Sequence, residues 1–224
     1  MKIIVTAAGE GVRMRPLTLN TPKPLLKYRG KTNLDHLFEL LPKEVDEAII
    51  VVRYLGDQIK QYCGANFHGR EVSYVDGSEK GNAVGIINAR RFFAPRERFA
   101  IAYGDEVFAG DEIKRCLDKE YSWLSYYVDD PTKTGVVTVD DKGKIVGFVE
   151  KPKNPLSNLA ADGFMVISAD IFNYDPPRHA NGEFYFSDMM GQFIKEHDVY
   201  AVMGSEGHTQ LTTPADIERL ENRS

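Results

Sequence analysis

The chain has 224 residues, 42% of them hydrophobic, enough to bury a core in one large domain or two small ones. Its net charge of −5 argues against general nucleic-acid binding. Two cysteines, Cys63 and Cys116, exclude a disulfide framework or a four-cysteine zinc site and suit a reducing, cytoplasmic setting. No apolar run is long enough to cross a bilayer, and the stretch before Gly9 is too short for a secretory h-region, so no membrane association is expected.

From the N-terminus, residues 2–8 (KIIVTAA) read as a buried strand. The segment 9–31 then holds six cations (Arg13, Arg15, Lys23, Lys27, Arg29, Lys31) against one acid, Glu10. One basic loop on an acidic chain suits a small anion; a solvated cationic face is the plainer alternative. The spacing of apolar residues next predicts a helix at 33–41, a strand at 47–53, a helix at 55–63, a strand at 71–75, a helix at 82–93 and a strand at 98–105. This alternation predicts a Rossmann-like, doubly wound, mostly parallel sheet with helices on both faces. Ligands of such sheets bind at the carboxyl ends of the strands, where Gly9 and Asp105 both lie.

After about residue 120 the pattern changes to antiparallel strands, with Asp141-Lys142-Gly143 as a hairpin turn. Helices are predicted near 169–174 and 187–196, then a strand at 198–203 and a helix from Pro214. With no repeat or linker in view, one mixed-sheet domain over 1–224 is expected, with halves at 1–120 and 121–224.

Gly9 and Gly11 directly follow the first strand, where glycine lets backbone N–H groups approach an anion; a tight turn would need them equally. Met14 stands where a dinucleotide fingerprint needs its third glycine, and no Gly-Lys-Ser/Thr of a P-loop is present. Pro16, Pro22 and Pro24 forbid a helix through 15–24, so the charge that holds the anion must come from side chains, foremost Arg13, Arg15 and Lys23. Cations on a triphosphate stabilise the charge that builds on leaving pyrophosphate.

The run AAGEGVRMRPLT…TPKPLL resembles the signature loop of the sugar-phosphate nucleotidyltransferases. YGDEVF (103–108), TGVVTVDDKGKIVGFVEKPKNPLSNLAADGFMVIS (134–168) and TTPADIERL (212–220) are similar to further segments of that family, especially its thymidylyltransferase and uridylyltransferase branches. The resemblance spans nearly the whole chain and stops where longer relatives carry a β-helix or a further helical region. It implies a glycosyltransferase-A-like fold with a nucleotide-binding first half and a sugar-phosphate-binding second half. It also implies the reaction, in which a sugar 1-phosphate attacks the α-phosphorus of an NTP and yields an NDP-sugar and pyrophosphate. NTP and sugar 1-phosphate are then the partners, Mg²⁺ the cofactor, and a homodimer is compatible with it.

Carried over by position, the resemblance puts Arg13 on the triphosphate, with Lys23 bridging nucleotide and sugar phosphate. Arg15 serves equally well as a surface cation. Asp105 would bind Mg²⁺; outside the family it would be a turn aspartate. Ala8, Gly9, Gly11 and Gly81 fall in the nucleotide site, and Asp76 stands where several relatives read the base edge with glutamine. An ionised aspartate only accepts hydrogen bonds and would suit an amino-bearing base. Glu150 matches an acid on sugar hydroxyls, Lys151 a lysine on the sugar phosphate, and Gly135 and Gly163 points of close backbone approach.

Two positions depart from the family pattern. Gln210 takes the place of the second metal carboxylate, and Glu106 follows Asp105 where relatives often have asparagine. Glu106 would either compensate at the metal or alter the sugar pocket. Two further readings stay open: a cytidylyltransferase acting on a non-sugar phosphate such as phosphocholine, and a low-turnover regulatory paralogue that binds nucleotide or sugar.

Overall fold

In the computed structural model, which describes residues 1–222, β1 (Lys2–Ala7) is followed by the small hairpin β2 (Lys27–Tyr28) and β3 (Lys31–Thr32), then α1 (Asn33–Leu40). Next come β4 (Glu47–Val52), α2 (Gly56–Cys63), β5 (Asn66–Phe67), β6 (Arg70–Asp76), α3 (Asn82–Asn88) and β7 (Arg98–Tyr103). The second half supplies β8 (Glu106–Val107), α4 (Glu112–Leu117), β9 (Ser122–Tyr127), β10 (Gly135–Val139), β11 (Ile145–Glu150) and β12 (Leu159–Ser168). The chain closes with α5 (Phe186–Glu196), β13 (Tyr200–Met203), β14 (Thr209–Gln210) and α6 (Pro214–Glu221).

Ten strands form one sheet in the order β11-β10-β12-β7-β1-β4-β6-β5, with β9 added along β12 and β13 along β9. β7, β1, β4 and β6 run parallel, and β12 reverses the direction beside β7. This is the doubly wound, mostly parallel arrangement with an antiparallel part that the sequence pattern predicts. The central strands are apolar on both faces because both are covered. Ile3, Val5 and Ala7 face Leu34, Leu37 and Phe38 of α1 on one side. Ile4, Ile49 and Val51 face Ala83 and Ile86 of α3 and Phe186 of α5 on the other. Burying each large apolar side chain contributes about 1.5–3 kcal/mol, so the i, i+3, i+4 spacing of Leu34, Leu37 and Phe38 is sufficient reason for α1 to dock.

Three local expectations differ from what forms. The helix expected at 82–93 is regular only to Asn88 and tightens to a 3-10 turn over Ala89–Phe92. The segment at 169–174 is a 3-10 turn, Ala169–Asn173, cut short because Pro176 and Pro177 forbid its continuation. Helix α4 escapes the periodicity reading because six residues give less than two turns of pattern. Among the described residues no helix is long and apolar enough to cross a membrane.

Candidate active site

The loop after β1 is ordered from beneath. Met14, the residue that breaks the dinucleotide fingerprint, is fully buried in a small cluster with Leu26, Tyr28, Val107, Leu211 and Leu220. Thr18 Oγ1 donates to the Gly11 carbonyl at 2.8 Å, and Tyr54 Oη donates to the Thr18 carbonyl at 2.9 Å. So fixed, the loop brings Lys23 into the interior between Pro22 and Pro24, where its Nζ lies 2.6 Å from Asp105 Oδ2.

Asp105 is held from the other side. Asn33, buried at the start of α1, donates through Nδ2 to the carbonyls of both Gly104 and Glu106, each at 2.9 Å. Its Oδ1 accepts from Tyr28 Oη at 2.9 Å. A capping box between Thr32 and Asp35 sets the start of that helix. The residues flanking Asp105 are therefore clamped, and its carboxylate is left at the cleft.

A cleft of about 380 Å³ opens at the carboxyl ends of β1, β4, β6 and β7. Ala8, Gly9, Lys23, Gly81, Asp105 and Gln210, all expected from the sequence, line it together. Gly81 is obligatory here. Its φ is 105°, and a Cβ would stand 2.2 Å from the Phe184 carbonyl oxygen. That contact seats the 181–186 segment over the cleft, with Ala83 N–H donating to the same carbonyl at 3.3 Å and Phe186 N–H to Asn82 Oδ1 at 2.9 Å.

A second chamber of about 450 Å³ contains Arg13, Gly135, Glu150 and Lys151. Asn82, Tyr103 and Gln210 line both spaces and form their common wall. Glu150 accepts from Ser187 Oγ at 3.2 Å and lies 3.3 Å from Lys151 Nζ. Lys151 has φ 44° and holds its ammonium over the Tyr185 ring, 5.7 Å from the centroid. Arg13 is exposed and lines this second chamber instead of the first.

Four expected residues are placed elsewhere, one of them Gly163, which lines neither space and packs against Glu106. Gly11 does not line the cleft but stabilises the loop behind it. Asp76 ends β6 and lines a separate shallow depression with Leu55 and Asp57, while Gly77, Ser78 and Glu79 enter the cleft. Glu106 is 1% exposed and lines neither space. Its carboxylate accepts from Gln210 Nε2 at 2.8 Å and lies against His208, 3.2 Å away. Burial pushes the Glu106 carboxyl above the usual carboxylate range, opposed by His208. Burial alone would lower the His208 imidazole, but the Glu106 and Glu112 carboxylates outweigh it and push it up to about 9.

Arg53, Asn82, Tyr103, Tyr185 and Ser187 complete the two spaces and were not singled out from sequence. Arg53 was the most findable, since it directly follows a strand at the ligand-binding edge of the sheet. It ion-pairs with Glu10 at 3.3 Å and with Glu79 at 3.0 Å, joining the loops on either side of the cleft. Among the described residues no group of three or more His, Cys, Asp or Glu side chains is placed to hold a metal ion. Asp105 and Gln210 offer one carboxylate and one amide oxygen, a hard-donor set that fits a magnesium ion whose remaining ligands are phosphate oxygens and water.

A doubly wound sheet with a basic loop after its first strand, and a polar chamber sharing a wall with the cleft, is an architecture suited to a nucleotide-handling transferase. Residues 2–208 match the nucleotidyl transferase family, and the chain belongs to it. It is 30% identical over 219 residues to the bifunctional protein GlmU of Methanocaldococcus jannaschii, covering 97% of this chain and 52% of that relative. It is 28% identical over 242 residues to the UTP–glucose-1-phosphate uridylyltransferase AglF of Haloferax volcanii, covering 100% of this chain and 96% of that one. The chain thus spans about half of the first relative's length and nearly all of the second's. The fold is shared with a solved UDP-glucose pyrophosphorylase in complex with UDP-glucose, at TM-score 0.86 and 20% identity over 99% of this chain and 97% of that one.

Proposed function

We propose that this chain transfers a nucleotidyl group from an NTP to a sugar 1-phosphate, giving an NDP-sugar and pyrophosphate. The observation that carries the reading is the Lys23–Asp105 pair at 2.6 Å, lying in a nucleotide-sized cleft that shares the Asn82–Tyr103–Gln210 wall with a polar acceptor chamber. A phosphate oxygen of the acceptor attacks the α-phosphorus, the bond to the bridging oxygen breaks, and its electron pair leaves on pyrophosphate. The attacking group is already an anion, so no general base is required, and catalysis is alignment plus charge neutralisation.

Lys23 bridges the two phosphates, Arg13 meets them from the acceptor side, and Lys151 holds the acceptor phosphate. Glu150, steadied by Ser187, receives sugar hydroxyls. Asp105 and Gln210 would hold Mg²⁺, which would supply charge neutralisation for the phosphates. The free, buried thiols Cys63 and Cys116 are consistent with a cytoplasmic reaction.

A second acceptor class has an observation in its favour. Trp123, Tyr126 and Tyr185 line the chamber, and aromatic walls suit a quaternary ammonium such as that of phosphocholine. The test is pyrophosphate release over five NTPs against a panel of sugar 1-phosphates and phosphocholine, with Asp105→Asn as control. Turnover with a sugar phosphate supports the first reading and signal with phosphocholine alone the second. Silence throughout, with nucleotide still bound, would favour a regulatory binder.

A further inference from the structure

Gln210 reaches the cleft from β14, and its inward end is tied to a buried polar chain. β14 pairs with β8 so that Gln210 stands opposite Glu106, and Gln210 Nε2 donates to Glu106 Oε1 at 2.8 Å. The other Glu106 oxygen lies 3.2 Å from His208 Nε2, an ion-pair contact off the hydrogen-bond line. His208 Nδ1 lies 2.9 Å from Glu112 Oε1. Glu112, also buried, accepts the backbone N–H of Ala109 at 2.8 Å and of Ser205 at 2.7 Å. The chain Gln210–Glu106–His208–Glu112 thus runs from the cleft wall to fixed backbone.

Space for it is built into the sheet. β12 bulges between Ala161 and Met165, and Gly163 sits there at φ 73°. A Cβ at Gly163 would stand 3.0 Å from Glu106 Cγ, so the glycine admits the glutamate side chain. Two fully buried carboxylates around one histidine are a costly way to fill a core, and apolar side chains would serve packing alone better.

We infer that Glu106 is a positioning residue that orients the Gln210 amide so that its carbonyl oxygen is presented to the cleft beside Asp105, with His208 and Glu112 holding Glu106 in place. A primary amide has a donor end and an acceptor end of nearly equal shape. Facing His208, the Glu106 carboxylate only accepts, so the end turned toward it is the NH₂; the amide oxygen, which Thr212 Oγ1 meets at 3.4 Å, keeps a second lone pair for a cation. The inference rests on the proposed reading that the site binds a divalent cation during nucleotidyl transfer.

The test is Mn²⁺ titration of the full chain, read by enhanced water-proton relaxation, with the NTP that supports turnover or with inorganic triphosphate if none does. Glu106→Gln keeps size but lets either amide end face Gln210, and Mn²⁺ affinity is expected to fall about 10–100-fold. The exchange Glu106→Gln with Gln210→Glu rebuilds a carboxylate–amide pair with the carboxylate on the cleft side, and Mn²⁺ affinity is expected to recover. Gln210→Glu alone is the control: it adds the same ligand charge but sets it against the Glu106 carboxylate, and it must bind Mn²⁺ less tightly than the exchange variant. Undiminished Mn²⁺ affinity in Glu106→Gln, or an exchange variant no better than the single one, overturns the inference. Should Glu106→Gln not fold, His208→Asn weakens the same chain one step back and must lower Mn²⁺ affinity in the same direction. A parent that releases no pyrophosphate with any pair of substrates overturns the proposed function, while the triphosphate titration still reads the Glu106 effect by itself.

Discussion

Lys23 Nζ lies 2.6 Å from Asp105 Oδ2 although 82 residues separate them in the chain. The lysine comes from the proline-rich loop and the aspartate from just past β7, and both line the cleft. Each neutralises the other, so a divalent cation at Asp105 competes with the ammonium. Lys23→Met is therefore expected to act with opposite signs on two observables. Pyrophosphate release falls about 100-fold or more, because a cation on the transition state is lost. Mn²⁺ binding without nucleotide tightens, because the competing ammonium is gone. Weakening of both together would show that the pair does not compete with metal.

Asn33 grips the carbonyls on both sides of Asp105, and its replacement separates framing from chemistry. Asn33→Leu leaves two buried carbonyls and the Tyr28 hydroxyl without this partner, and each unsatisfied group costs about 1–3 kcal/mol. Denaturant unfolding is expected to show a loss of about 3 kcal/mol or more, the lower end for three such groups. In the molecules still folded, kcat should fall more than KM for the NTP rises, since the clamp holds the carboxylate and not the nucleotide. A variant with unchanged kcat would mean that Asp105 is placed by the sheet alone.

How much of this was legible beforehand depended on the kind of signal. The parallel core was readable because Ile3, Val5, Ile49 and Ile101 belong to apolar runs whose shortness and β-branched content mark strands buried on both faces. Lys23 and Asp105 were readable because loop chemistry and family resemblance agreed on them. Asn33 was not, since a polar residue opening a helix reads as a cap, and its partners lie 71 and 73 residues away. Glu106 was misplaced for a related reason. The family position after Asp105 suggested the sugar pocket, but pairing of β8 with β14 sets Glu106 opposite Gln210 and buries it against His208.

Asp35 gives the fold an acid-sensitive element close to that clamp. Burial would raise its carboxyl, but hydrogen bonds from Thr32, His68 and Tyr62 outweigh this and hold it at about 2, against an ordinary 3.8. A carboxyl that binds its proton less readily folded than unfolded contributes stability above the unfolded value, and that contribution is lost as pH falls through the folded one. Stability is thus expected to decline between about pH 4 and pH 2, by about 2 kcal/mol from this group, whose side chain is 13% exposed. Asp35→Asn should flatten that part of the stability–pH curve, measured by urea unfolding at a series of pH values. An unchanged slope would assign the acid sensitivity to other carboxylates.

If the proposed function holds, base choice is expected to set Arg53 against Asp76. The family resemblance puts base reading at Asp76, yet that residue lines only the depression beside Leu55 and Asp57, while Arg53 lines both that depression and the cleft. Arginine offers donors only, so a base that meets it must present carbonyl or ring-nitrogen acceptors. Arg53 also joins Glu10 to Glu79, and its loss would slacken the loops on both sides of the nucleotide. Arg53→Met is therefore expected to raise KM for the preferred NTP about tenfold or more, the scale of a lost charge-assisted hydrogen bond, and to narrow its advantage over the other NTPs. Asp76→Asn should move that preference by a smaller factor. Competition assays with paired NTPs measure both, and a larger change at Asp76 than at Arg53 would return base reading to the position suggested by the sequence.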